Sequence, residues 1–358
     1  MKTPFTPNGI STLVGSIPLT NHKEATELVL KYMADFPIWV QLPAFKEEGM
    51  VPQFAPGLPG LKNEKGKIFI DTKDENFDQE ILSFYEEYMA VTEGVIPLEE
   101  SRFVMSKNVA NGLFTLVDML TEKGEAFCAL KGQVTGPFTL MTGTVDENDR
   151  AIFYNDQLRD AASKLLSLKA KWQARYLAKF GKPVIIFLDE PALAGFGTSA
   201  FISVTRNDVM NCFQESFDAL HDEGALVGIH VCANTDWSLI LDSDADIVNF
   251  DAYGYFDKFL LYADDIKKFI NKGGILAWGV APTLSAIELM KETEESLYQK
   301  WEKDAGELVK LGIDKKTLLA QSFFTPSCGT GSLSIENAEK AIMLTKRISN
   351  RARSEFLK

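Results

Sequence analysis

Short apolar runs alternate with longer stretches of helical periodicity along the whole chain. Runs of four to six residues bounded by Gly, Pro, Asn or Asp read as strands, and apolar positions recurring every three to four residues read as amphipathic helices. The pattern predicts strands at 11–14, 38–42, 126–130, 184–188, 225–229, 247–250, 275–280 and 318–321. Helices are expected at about 21–35, 78–92, 113–123, 150–180, 206–221 and 285–311, with a last one at 334–351. Within 150–180, Leu158, Ala162, Leu165, Leu166, Ala170 and Ala174 mark the buried stripe. Strand and helix in alternation is the signature of a parallel sheet with crossover helices. Eight such units predict an α/β fold, a single (β/α)8 TIM barrel over 1–358, because no change in composition splits the chain. A doubly wound open sheet would use fewer strands and a Gly-rich phosphate-binding turn after the first one, which Gly15-Ser16 does not supply. An irregular insertion rich in Pro and Gly, at about 44–77, follows the second strand, with a hairpin expected across 61–71.

Composition narrows the partners more than the chemistry. At 358 residues, 46% hydrophobic and 24% charged, the chain can bury a large core. Its net charge of −13 argues against a nucleic-acid partner, which needs a basic footprint. No run reaches the length of a membrane span, and the N-terminus from Met1 to Phe5 lacks an apolar signal region, so a cytoplasmic location and no membrane partner are expected. The four cysteines, Cys128, Cys212, Cys232 and Cys328, are far apart and read as thiols or ligands rather than a disulfide framework. Cys128, within a strand, and Cys212, on a helix, are expected to pack in the core. His22 and His221 lie near helix ends and read as structural or solvated.

Barrel enzymes carry their chemistry at the C-terminal ends of the strands. Those ends hold Gly15, Ser16, Gln41, Gln133, Asp189, Glu190, His230, Cys232, Asp251 and Cys328. Side chains alternate along a strand, so His230 and Cys232 project to one face. Imidazole and thiolate are zinc ligands, and with Cys328 they leave one position of a tetrahedral site open, the arrangement of a catalytic centre. Asp251 either completes the resting site or orients His230. A substrate thiol taking the open position would be held as its thiolate near neutral pH, a nucleophile suited to attack on a methyl group. A hydrolase using zinc-bound hydroxide is the competing reading, with Glu190 as its base.

Five segments then occur in the order found in one family: 12–18 (Thr-Leu-Val-Gly-Ser-Ile-Pro), 189–193 (Asp-Glu-Pro-Ala-Leu), His230-Val231-Cys232, 244–246 leading to Asp251, and 326–329 (Pro-Ser-Cys-Gly). From about residue 11 to 350 the chain resembles the catalytic barrel of cobalamin-independent methionine synthases. Segment 131–139 is similar to one shared by that barrel, the corrinoid-dependent thiol methyltransferases and uroporphyrinogen decarboxylases. The resemblance implies zinc ligation by His230, Cys232 and Cys328, with Asp251 where the family has a ligand glutamate. It implies that Val14 and Ser16 hold homocysteine and that the Asp189 carboxylate receives its amino group; Gly15, Gln41 and Gln133 complete the expected substrate site, and Asp189 and Glu190 the expected catalytic pair. The family's catalytic histidine after strand seven is replaced here by Val280-Ala281-Pro282-Thr283, and its folate-stacking tryptophan has no counterpart in 139–143. These departures favour a methylated corrinoid (methylcobalamin carried on a corrinoid protein) over methyltetrahydrofolate as donor. The alternatives are another thiol acceptor such as coenzyme M, or an enzyme similar to uroporphyrinogen decarboxylase. The insertion at 44–77 is expected to cover the site or to dock the donor.

Overall fold

The structure, a computed structural model, describes residues 5–124 and 126–356; residues 1–4, on which part of the signal-segment expectation rests, lie outside it. Two short antiparallel strands, β1 (Leu61–Glu64) and β2 (Lys67–Ile70), form the hairpin of the insertion. Six parallel strands follow in chain order in one curled sheet: β3 (Leu130–Thr135), β4 (Val184–Asp189), β5 (Leu226–Val231), β6 (Ile247–Phe250), β7 (Ile275–Ala281) and β8 (Ser322–Pro326). The first two predicted strands are extended segments that bridge the gap rather than regular strands. Ser11 pairs with Phe324, Ser16 with Gln41, and Ile38 with Lys131, all in parallel. Backbone bonds from Thr12 N to Phe324 O (3.0 Å), Gln41 N to Gly15 O (3.2 Å) and Lys131 N to Pro37 O (3.0 Å) carry the ring round. Pro18, Pro37 and Pro43 in these segments have no N–H to give, which keeps the pairing intermittent. The result is the predicted α/β architecture, TIM-barrel-like.

Two apolar layers explain why these residues make this fold. The outer faces of the strands pack on the helices through one large cluster that includes Ile186, Leu188, Val227, Val248 and Phe324. Inward-facing residues form a separate cluster, Ile10, Phe36, Ala129, Ile185, Phe187, Leu226, Ile247, Ile275, Ala277 and Phe323. Because inward positions recur every second residue, the next ones up each strand define the chemistry. They are Lys131 and Gln133, Asp189, His230, Asn249 and Thr325, all of them buried except Asp189, which is half-buried. The barrel interior therefore runs from apolar at the N-terminal end to polar at the C-terminal end.

Several predicted boundaries move. β3 begins where the third predicted strand ends, because Lys131, Gly132 and Gln133 interrupt the apolar run yet are buried within the strand. Cys128, expected in a core strand, is exposed before it. Residues 318–320 belong instead to the helix Lys315–Ala320, with Asp314 capping its start through Thr317 N and Gln321 at its C-terminal cap, and β8 follows. The helix expected at 285–311 breaks into Ala286–Lys291 and Glu294–Lys310, the second opened by a capping box of Thr293 and Ser296. Among the described residues, no helix is long and apolar enough to cross a membrane.

Candidate metal centre

Register decides what meets at the C-terminal end. Asp189 on β4 pairs with His230 on β5, and His230 with Asn249 on β6. Two residues beyond His230, Cys232 continues the same face just past the strand. Cys328 arrives from the far side, after β8, on a turn held by Ser327: its N–H reaches Ala281 O at 2.8 Å and its hydroxyl lies 3.1 Å from that of Thr283. Gly329 lets this turn close on the first segment, since a Cβ there would lie 2.1 Å from Ser16 Oγ. One ligand atom each from His230, Cys232 and Cys328 then lies within 4.8 Å of the others. Among the described residues, no other group of three His, Cys, Asp or Glu side chains does so.

The donor set fits zinc on two further counts. His230 Nδ1 is taken by Asn249 Oδ1 at 2.6 Å, while its Nε2 is buried with no hydrogen-bond partner. A buried ring nitrogen left unpaired is costly unless a ligand such as a metal ion meets it. The Cys328 sulfhydryl beside Cys232, and then His230, hold the Cys232 thiol well below its ordinary range, whereas contact with Cys232 and burial push Cys328 above it. A thiolate beside an imidazole is a ligand pair suited to a soft or borderline cation.

Asp251 stands apart from this trio. It caps the helix Ala252–Phe259, its Oδ1 accepting from Gly254 N at 2.8 Å, and burial raises its pKa to about 6. His230 is oriented by Asn249 instead. Glu190 is also placed away from open space. It is fully buried, with Oε1 accepting from Phe138 N (2.9 Å) and Oε2 from Thr139 N (2.8 Å) and Thr139 Oγ1 (2.6 Å). These donors are the first turn of the helix Pro137–Gly143, so Glu190 anchors a helix N-terminus.

The trio opens on a cavity of about 300 Å³ lined by Val14, Gly15, Ser16, Gln41, Pro43, Thr135, Asp189 and, from the insertion, Glu48, Gly49 and Met50. Asp189 presents an Oδ1 that is buried and unpartnered, and burial raises its pKa despite Lys131 and His230 nearby. Gln133 lies beneath the cavity rather than on its wall, its Nε2 donating to Trp39 O at 2.9 Å. Sequence reasoning passed over three residues here. Lys131 is buried in the barrel with Nζ donating to Val14 O at 2.6 Å, and desolvation lowers its pKa to about 8. Glu48 is fixed by His22 Nε2 (2.5 Å) and Leu42 N (2.7 Å). Asn249 is the third. Lys131 carried a signal of its own, a lysine two residues from Gln133 in a strand that must be buried, whereas the part played by Asn249 needed the strand register.

No family model matches the chain, and no curated protein matches it. Solved structures do. A methyltransferase from Methanosarcina mazei superposes with a TM-score of 0.51 at 13% identity, over 97% of this chain and 95% of that one. Wild-type ZgEngAGH5_4 gives 0.46 at 12% identity, over 97% and 98%. A dihydropteroate synthase from Thermus thermophilus gives 0.31 at 9% identity, over 94% of each. At such identities the likeness to the Methanosarcina protein establishes a shared fold.

Proposed function

We propose that this chain is a zinc-dependent methyltransferase that activates the thiol of homocysteine and accepts a methyl group from a methylated corrinoid, giving methionine. The observation that carries the reading is the convergence of His230, Cys232 and Cys328 at the edge of a cavity whose wall offers the unpartnered Asp189 carboxylate. Zinc bound there would supply the positive charge that keeps a substrate sulfur deprotonated near neutral pH. The protein's own part is positional. Asp189 has a free acceptor for a substrate ammonium, and Val14, Pro43 and Met50 supply apolar contact for a short alkyl chain. No lysine or arginine lines the cavity among the described residues, while Glu48 and Asp189 do. That charge pattern favours an aminothiol over a sulfonate such as coenzyme M. In the transfer, the sulfur forms a bond to the methyl carbon as the carbon–cobalt bond breaks, and its electron pair leaves with cobalt. No proton needs delivery to that leaving group, in keeping with segment 280–283, which holds no histidine and ends in a buried Thr283 bonded to Ser327.

The test is direct. Purified protein is expected to contain one zinc per chain and to demethylate methylcobalamin with homocysteine faster than with coenzyme M, with Cys328→Ala losing both zinc and activity. Protein without zinc affinity, or activity that survives the substitution, removes the reading.

A further inference from the structure

Asn249 has a side-chain environment that leaves it one orientation. Its amide faces two oxygens on one side, the backbone carbonyl of Ala277 on β7 and the hydroxyl of Thr325 on β8, each at 2.9 Å. A carbonyl oxygen only accepts, so the atom facing Ala277 is the NH2 group, and Oδ1 is the atom 2.6 Å from His230 Nδ1. Asn249 Oδ1 only accepts in turn, so Nδ1 carries a proton, and in the neutral ring the lone pair is left on Nε2, the atom without a hydrogen-bond partner. The four residues are buried, so water does not compete for these bonds.

We infer that Asn249 and Thr325 are positioning residues that fix His230 as the Nδ1–H tautomer and so commit Nε2 to the metal. The relay passes through four consecutive strands, from His230 on β5 to Asn249 on β6, Ala277 on β7 and Thr325 on β8. Thr325 lies three residues before Cys328, so the same contacts tie the imidazole to the strand that delivers the second thiolate. Metal-ligating imidazoles gain orientation and basicity from a partner on their other nitrogen, and loss of that partner costs about 10- to 100-fold in metal affinity. Here the partner is a neutral amide held by backbone and hydroxyl, which selects the tautomer without adding charge to the site.

The inference rests on the zinc reading for its functional consequence, but the tautomer is measurable without it. Zinc affinity is read by chelator competition for wild type, Asn249→Ala, Thr325→Val and Thr325→Ser. The ring nitrogens of His230 are read by long-range proton–nitrogen NMR, tractable because the chain has 3 histidines. Wild type is expected to show a protonated Nδ1, with zinc perturbing Nε2. Asn249→Ala is expected to bind zinc about 10- to 100-fold more weakly. Thr325→Val, which keeps shape and loses the hydroxyl, is expected to weaken binding by a smaller factor, and Thr325→Ser to restore it. Unchanged affinity in both Asn249→Ala and Thr325→Val, or zinc bound through Nδ1, overturns the relay. If wild type binds no zinc while Nδ1 still carries the proton and Asn249→Ala releases it, the relay stands and the zinc reading falls.

Discussion

A buried charge needs a reason, and the structure separates those that have one from one that does not. Lys131 reaches Val14 O, and Asp189 faces the cavity, but Lys169, in the helix Asp156–Ala178, is 1% exposed and has no hydrogen bond or ion pair with any described residue. Burial alone lowers its pKa from 10.5 to about 8. Below pH 8 the folded protein bears the whole cost of that charge, roughly 3 kcal/mol at about 1.4 kcal/mol per tenfold change in proton affinity. Between 8 and 10.5 the unfolded chain binds more protons than the folded one, so stability rises with pH across that window. Lys169→Met is therefore expected to raise the unfolding free energy at pH 7, by an amount that shrinks above pH 8 and vanishes near 10.5; denaturant melts across that range check it. A constant or negative difference would mean that the ammonium is solvated. Asp189 is the opposite case on the proposed reading, in which its unpartnered oxygen receives a substrate ammonium. Asp189→Asn is expected to raise KM for homocysteine by about 10- to 100-fold, the worth of one charge-assisted hydrogen bond, while kinetics with 4-mercaptobutyrate, which lacks the amino group, stay unchanged. The trio of His230, Cys232 and Cys328 was legible at this scale because His-x-Cys and a second cysteine are chemically rare neighbours. Asn249 was not, because an asparagine in a strand announces nothing until register places it beside His230.

Elements were legible where a periodic pattern ran its full length and illegible where polar residues were buried inside it. β4 to β7 stand within a residue or two of their expected bounds, whereas β3 was misplaced by Lys131 and Gln133, and β8 by the apolar pair Leu318 and Leu319 in the preceding short helix. What holds the β3 end in place is the contact between Glu190 and the helix Pro137–Gly143. A Cβ on Gly136 would lie 2.2 Å from the Glu190 carboxylate, so Gly136→Ala is expected to cost about 3 kcal/mol, the upper end for an overpacked core. In a Glu190→Ala background the same change is expected to cost much less. Additive effects in that double-mutant cycle would show that the clash is relieved elsewhere. The insertion divides in the same way. Glu48, Gly49 and Met50 form cavity wall, but the β1–β2 hairpin lines none of it; Ile70 is buried and its N–H bonds Val145 O at 2.9 Å. Trimming the exposed tip at 64–66 is expected to leave thiol kinetics unchanged, and Met50→Ala to raise KM. A slower transfer from a protein-borne corrinoid after the trim would instead give the hairpin a docking role.

At the scale of the whole molecule, the site joins parts of the chain that are far apart in sequence, and that has a thermodynamic consequence. His230 and Cys232 sit at the end of β5, while Cys328 follows β8, the strand that closes the ring through Ser11. A cation held by all three links the middle of the sheet to its closure. Only the folded barrel brings these ligands within 4.8 Å of one another, so metal binding adds to folding stability as RT ln(1 + [L]/Kd), about 4 kcal/mol when free metal exceeds Kd a thousandfold. Wild-type protein stripped with a chelator is therefore expected to melt lower and to recover on adding zinc, with the recovery dependent on zinc concentration. Cys328→Ser is expected to melt near the stripped wild type and to respond little to zinc, since the hydroxyl is a poor replacement for thiolate. Magnesium should shift neither, because the trio offers no oxygen ligand. A zinc-dependent rise of equal size in Cys328→Ser would place the stabilising ion elsewhere, and with it the closure that the barrel depends on.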